Sequence, residues 1–175
     1  MSVLKLYHGT IADFNIVDLR YAKDNKDFGK GFYLTTDINQ AKQLAKRMQY
    51  NAILEGDANA KAYVYMFKID KSRLKELNTH TFQGANISWV DYILENRYSK
   101  SSNKDYDVVI GKVADVVAKR VLNSYKAKCG NNGSKDDKMQ LIRDLKPDNL
   151  TDQYCFKTDK AIKLLNNIGF ARREF

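Results

Sequence analysis

Apolar residues recur along the chain in short runs whose spacing switches between a period of two and a period of three to four, the mark of strands alternating with helices. Val3–Tyr7 is a first β-prone run, ending at His8-Gly9-Thr10. Gly31–Thr36 is a second, entered through Asp27-Phe28-Gly29-Lys30, where the glycines permit a tight approach. Asp37 is placed to cap a helix. Gln40 follows three residues on, as in a capping box, and Ile38, Ala41, Ala45 and Met48 lie at helical spacing. Ala62–Ile69 is the firmest strand. Tyr63, Tyr65, Phe67 and Ile69 share one face and Val64 and Met66 the other, so a central place in a sheet is expected.

Further along, Trp89, Ile93, Leu94 and Arg97 suit a helix over 87–98, and Tyr106–Ile110 reads as a strand ending at Gly111. Val113, Val117, Val121 and Tyr125 give the next helix its stripe. Residues 129–137 form a polar, glycine-rich loop, and a short helix around 138–145 ends before Pro147. Gln153–Lys157 is a strand, after which Thr158 or Asp159 opens a helix that Gly169 stops. The pattern alone gives one mixed α and β domain, and a doubly wound parallel sheet fits it nearly as well.

Composition narrows the class. A chain of 175 residues, 43% hydrophobic and with one proline, is long enough for one domain over 1–175 with a real core. No apolar window approaches a membrane span, and Met1–Leu6 has no signal-peptide core, so a cytoplasmic protein away from membranes is expected. Two cysteines, Cys129 and Cys155, are too few for a disulfide framework. His8 and His80 have no cysteine nearby, and no metal is expected. The net charge is +9, with more than half of the excess in residues 71–128. That balance favours polyanions, but the basic residues fall in pairs such as Lys119-Arg120 and Arg172-Arg173, as on an ordinary solvated surface.

Conventional catalytic constellations are thin: there is no glycine-flanked serine, no phosphate loop and no dinucleotide glycine triplet. A Cys–His nucleophile pair requires Cys155 to meet His8 or His80, and Cys155 sits in an apolar strand where inert thiols are the rule. Three segments stand out instead: Leu6-Tyr7-His8-Gly9-Thr10, Asp27 to Thr36, and Asp152 to Thr158. Their order and content resemble the ADP-ribosyltransferase superfamily, in its His-Tyr-Glu branch with diphtheria toxin and the poly(ADP-ribose) polymerases. More narrowly, the chain resembles a bacterial family of unknown-function domains in that superfamily. The helix from Gln40-Ala41 to Ala45, the segment Asp105 to Gly111 and the following Val113-Ala114-Asp115 extend the likeness from residue 6 to about 166.

The resemblance implies an α+β fold of two small, split, mostly antiparallel sheets with flanking helices, and NAD, as substrate, in the cleft between them. His8 would bind the hydroxyls of the adenosine ribose, the imidazole both donating and accepting. Gly9, beside Thr10, would bring its backbone against the nicotinamide carboxamide, and Tyr33 would stack on the nicotinamide ring. Gln153 stands at the third motif position, where the branch usually has Glu. Its amide can hydrogen-bond the ribose 2′-hydroxyl but cannot take a proton, which implies slower chemistry, a nucleophile needing no base, or a separate base such as Asp115 or Asp107. Asp152, in the same strand, points to the opposite face. On this reading Gln153→Glu keeps the shape of the site and is expected to retain activity. The implied function is transfer of ADP-ribose to a protein or nucleic acid, in the manner of toxins of toxin–antitoxin or phage-defence systems, with an antitoxin protein as partner. NAD glycohydrolase action, and an NAD- or nucleic-acid-binding module without turnover, stay open as alternatives.

Overall fold

The alternation at the start of the chain becomes β1 (Val3–Thr10), and the next apolar run becomes β2 (Phe32–Thr35). A computed structural model describes residues 2–99, 106–112, 116–130, 133–145 and 151–175. Asp37 caps α1 (Ile38–Leu54) by accepting the Asn39 N–H at 2.8 Å. The capping box does not form. Gln40 Oε1 is taken by the hydroxyls of Thr35 and Thr151, at 2.5 and 3.0 Å, which ties the helix start to β2 and to the entry of a later strand.

The expected strand at 62–69 is β3 (Tyr63–Asp70), followed by a one-turn helix α2 (Lys71–Leu74) and a short strand β4 (Thr79–Thr81). Then come α3 (Ile87–Tyr98), β5 (Val108–Lys112), α4 (Val116–Cys129) and α5 (Lys135–Leu145). The chain closes with β6 (Asp152–Phe156), α6 (Asp159–Ile168) and β7 (Ala171–Glu174). The Thr158 hydroxyl caps α6, and Gly169 ends it at φ 66°. Asp105, the segment Val113-Ala114-Asp115, Asn131-Asn132 and Pro147 lie outside the described residues.

The fold is α+β. Among the described residues seven strands form one sheet in the order β4-β5-β6-β2-β1-β3-β7, antiparallel except where β4 meets β5, so the doubly wound parallel alternative is excluded. The two sets of strands that were expected as separate sheets are joined, but by a single register pair, Tyr7↔Thr35. β1 and β3, in contrast, pair from Val3↔Asp70 to Thr10↔Tyr63. β3 lies one place in from the edge instead of at the centre, because β7 covers its outer side.

Each face of the sheet carries its own core. One packs Phe28, Val109 and Cys155 against Trp89, Val90 and Ile93 of α3, Leu122 of α4 and Leu141 of α5. The other packs Leu6, Leu34, Tyr65, Phe67 and Phe156 against Ala161, Ile162 and Leu165 of α6. Trp89 is fully buried, and its indole N–H reaches the Lys112 carbonyl at 3.3 Å, locking α3 onto the end of β5. Trp89→Ala removes that anchor and leaves a cavity, so it should cost about 3–5 kcal/mol, read as a loss of unfolding free energy in urea.

Candidate functional site

If the β1–β2 ladder continued past Tyr7↔Thr35, it would set Gly9 opposite Tyr33 and Thr10 opposite Phe32. Those pairs do not form, and a side chain takes their place. His8 Nδ1 lies 2.8 Å from the Tyr33 carbonyl oxygen. A carbonyl can only accept, so Nδ1 carries the proton and Nε2 keeps a lone pair. Nε2 has no hydrogen-bond partner among the described residues and is not one of the buried polar atoms left without one, so it meets solvent. The ring packs against Phe32, with centroids 4.3 Å apart. Burial among such neighbours lowers the His8 pKa below 6.5, outweighing the Tyr33 hydrogen bond, which raises it. At neutral pH the imidazole is uncharged.

Tyr33 is fixed from both ends. Its hydroxyl donates to the Gly29 carbonyl at 2.6 Å and accepts the Phe28 N–H at 3.0 Å. Burial pushes the phenol pKa well above 10, and the nearby Cys155 adds to this. Both hydrogen-bonding roles of the hydroxyl are filled, and the ring packs against the core on that face of the sheet. The loop that holds it needs its glycines. Gly29 sits at φ 79°, with Asn96 Oδ1 2.5 Å from where a Cβ would stand, and a Cβ on Gly31 would overlap the Cys155 sulfur.

Gly9 has a packing reason in addition to the role that the resemblance implies. A Cβ there would overlap the backbone carbonyl of Ala41, so the glycine lets α1 press against β1. Thr10 is buried, and its hydroxyl accepts the Ala12 N–H at 3.1 Å to turn the chain out of β1.

Gln153 is buried and stands opposite Thr35 of β2 and Gly111 of β5. Its Nε2 donates to Asp27 Oδ2 at 3.2 Å. Asp27 Oδ1 in turn receives Arg97, with Nε at 2.6 Å and a second guanidinium nitrogen closer still. The side chains of Arg97 and Asp27 are only 13% and 6% exposed, so this is a buried ion pair. Sequence reading missed its meaning. Asp27 lay inside a quoted motif without a role, and Arg97 counted only as a member of a helix face. Gln153 Oε1, like His8 Nε2, has no donor among the described residues and is not a buried orphan.

By strand register, Tyr33, Gln153 and Cys155 share one face of the sheet, while His8 lies on the other with Phe32. At the seam the His8 ring reaches the Tyr33 backbone, while Gln153 and Cys155 stand on β6, across β2 from β1. Asp152 points away from Gln153, as expected, and pairs with Lys112 at 3.2 Å. The expectation that Asp107 serves as a base is not met. It lies beside the far end of β6, where the Lys157 N–H meets its carbonyl, about four strand residues or ~13 Å from Gln153. Its carboxylate is occupied by Thr158, Asn78 and Lys160; burial raises its pKa, but these partners together hold it below the usual value. Asp115, the other candidate, is outside the described residues.

The Cys–His alternative also fails. Burial pushes the Cys155 thiol up to about 12, and the His80 ring stacks on Tyr106 at 4.7 Å. A cleft of about 150 Å³ lies elsewhere, between α2 and α6, lined by Arg73, Lys160, Lys163 and Asn167. Among the described residues no group of three or more His, Cys, Asp or Glu is placed to hold a metal ion, and no helix is long and apolar enough to cross a membrane. Two uncharged acceptors thus stand on opposite faces beside β2, His8 Nε2 on one and Gln153 Oε1 on the other, the latter sharing its face with the immobilised Tyr33 ring. That set suits a ligand with hydroxyl donors and a flat ring.

Two outcomes check this geometry. The His8 ring should titrate below 6.5 by NMR with Nδ1 keeping its proton. Because the folded-state pKa is the lower one, His8 contributes stability that is full above 6.5 and lost as pH falls through its lowered value. Gly9→Ala should cost about 1–3 kcal/mol of stability with no ligand present, because α1 must shift.

No curated protein and no solved structure matches the chain. The model of a family described as "Protein of unknown function (DUF3990)" matches residues 4–167, a span that takes in His8, Asp27, Tyr33, Arg97 and Gln153. The match covers nearly the whole chain, and the chain belongs to that family.

Proposed function

We propose that the chain is an ADP-ribosyltransferase that uses NAD as substrate, bound at the β1–β2 seam, and modifies a macromolecule. The observation that carries this reading is the arrested ladder, with the His8 ring bonded to the Tyr33 backbone across the gap. The resemblance of the three motifs supplies the substrate.

Each residue then has a task. His8 Nε2 accepts a ribose hydroxyl, and the Tyr33 ring, pinned through its hydroxyl, lies against the nicotinamide. Gly9 and Thr10 turn backbone groups toward the carboxamide. Gln153 Oε1 accepts from the 2′-hydroxyl of the reacting ribose. The bond from C1′ of that ribose to the nicotinamide nitrogen breaks, and its electron pair neutralises the pyridinium. A lone pair of the acceptor closes the new bond to C1′, and any proton it carries passes to solvent. The developing ribose cation is met by polar groups already in place, which need no reorganisation. Supported by the same resemblance, we place this activity in the cytoplasm, as a toxin restrained by a neutralising protein.

The test is incubation with labelled NAD and cell extract, followed by separate protease and nuclease digestion. Label released by protease identifies a protein acceptor, and label released by nuclease a nucleic acid. Free ADP-ribose alone would replace transferase with glycohydrolase, and intact NAD would remove the enzyme reading. Within this scheme Tyr33→Ala should weaken NAD binding by about 1–3 kcal/mol in calorimetry, the range for losing an aromatic platform. Gln153→Ala should lower turnover roughly a hundredfold and change NAD affinity far less.

A further inference from the structure

The Asp27–Arg97–Gln153 cluster explains why an amide stands where related motifs carry a carboxylate. One oxygen of Asp27 receives Arg97 and the other receives Gln153 Nε2 at 3.2 Å. A carboxylate at 153 would put two acceptors at that distance with no proton between them, in a place where both residues are buried. The cluster as it stands holds one negative and one positive charge. We propose that Asp27 is a positioning residue: it supplies the carboxylate that meets Gln153 and, by taking Nε2, leaves Oε1 of Gln153 as the acceptor offered to the ligand. Residue 153 must therefore be neutral as long as residue 27 is charged. This reverses the expectation that Gln153→Glu is tolerated. The statement about ligand rests on the transferase reading, and the statement about charge does not.

The charge can be moved. Gln153→Glu adds a second buried anion, and Asp27→Asn leaves Arg97 without its countercharge. The double variant Asp27→Asn/Gln153→Glu restores one pair. Each single variant should lower the thermal transition by roughly 6–20 °C, the range for breaking a buried ion pair in a domain of this size. The double variant should recover most of that loss. Two single losses that simply add in the double variant would overturn the pairing, and so would singles as stable as the parent.

A second readout separates positioning from mere stability. The titratable and charged groups of the described residues at this cluster are Asp27 from the loop with the neighbouring Lys26, Arg97 from α3, Tyr33 from β2 and Cys155 along β6. Burial keeps the last two protonated between pH 6 and 8. Over that range, NAD affinity of folded Gln153→Glu should fall about tenfold or more as the added carboxyl ionises. The parent and the double variant should change less than about threefold, since neither holds a second carboxylate. A flat profile in Gln153→Glu would show that the carboxamide is not oriented by Asp27. If the parent binds no NAD at all, the transferase reading falls, and the thermal comparison alone decides the charge pairing.

Discussion

β1 and β2 are hydrogen-bonded at one pair, Tyr7↔Thr35, and the edges beyond it must find other partners. Backbone groups taken from water and left unpaired are costly. Here the Tyr33 carbonyl is satisfied by a side chain, His8, instead of by a strand. That one bond selects the imidazole tautomer, aims the free nitrogen at solvent and fixes where β2 runs as it leaves the 27–31 loop. Gly9 lets α1 press on β1 from the other side, so the parting of the strands is held by packing on β1 and by hydrogen bonding on β2.

The elements whose stability comes from their own pattern were legible in the sequence. β3 shows its two apolar faces, and α6 shows its cap at Thr158 and its stop at Gly169. β4 and β7 were not legible, because Thr-His-Thr and Ala-Arg-Arg-Glu carry no apolar alternation and become strands only by pairing with β5 and β3. Gln40 shows the converse: a local capping signal gave way to two long-range hydroxyl partners. In the site, His8, Tyr33 and Gln153 could be singled out, but not that His8 and Tyr33 point to opposite faces of the sheet. Nor could the Asp27–Arg97 pair be read, since 70 residues separate partners that only the packing of α3 brings together.

The same packing gives the glycines and the amide a shared explanation. Gly29 lies under Asn96 and Gly31 under Cys155, so the loop that carries Asp27 is pressed between α3 and β6. In that confined space a buried cation and anion must balance, because an uncompensated charge costs more than the pair contributes. Residue 153 completes the balance as a neutral donor to Asp27.

The most direct test of a ligand site at the seam is NMR on labelled protein titrated with NAD. Shifts concentrated at the His8 imidazole, the Tyr33 ring and the Gln153 side-chain amide are the expected result. Shifts centred on the cleft of Arg73, Lys160, Lys163 and Asn167, with the seam unchanged, would contradict it.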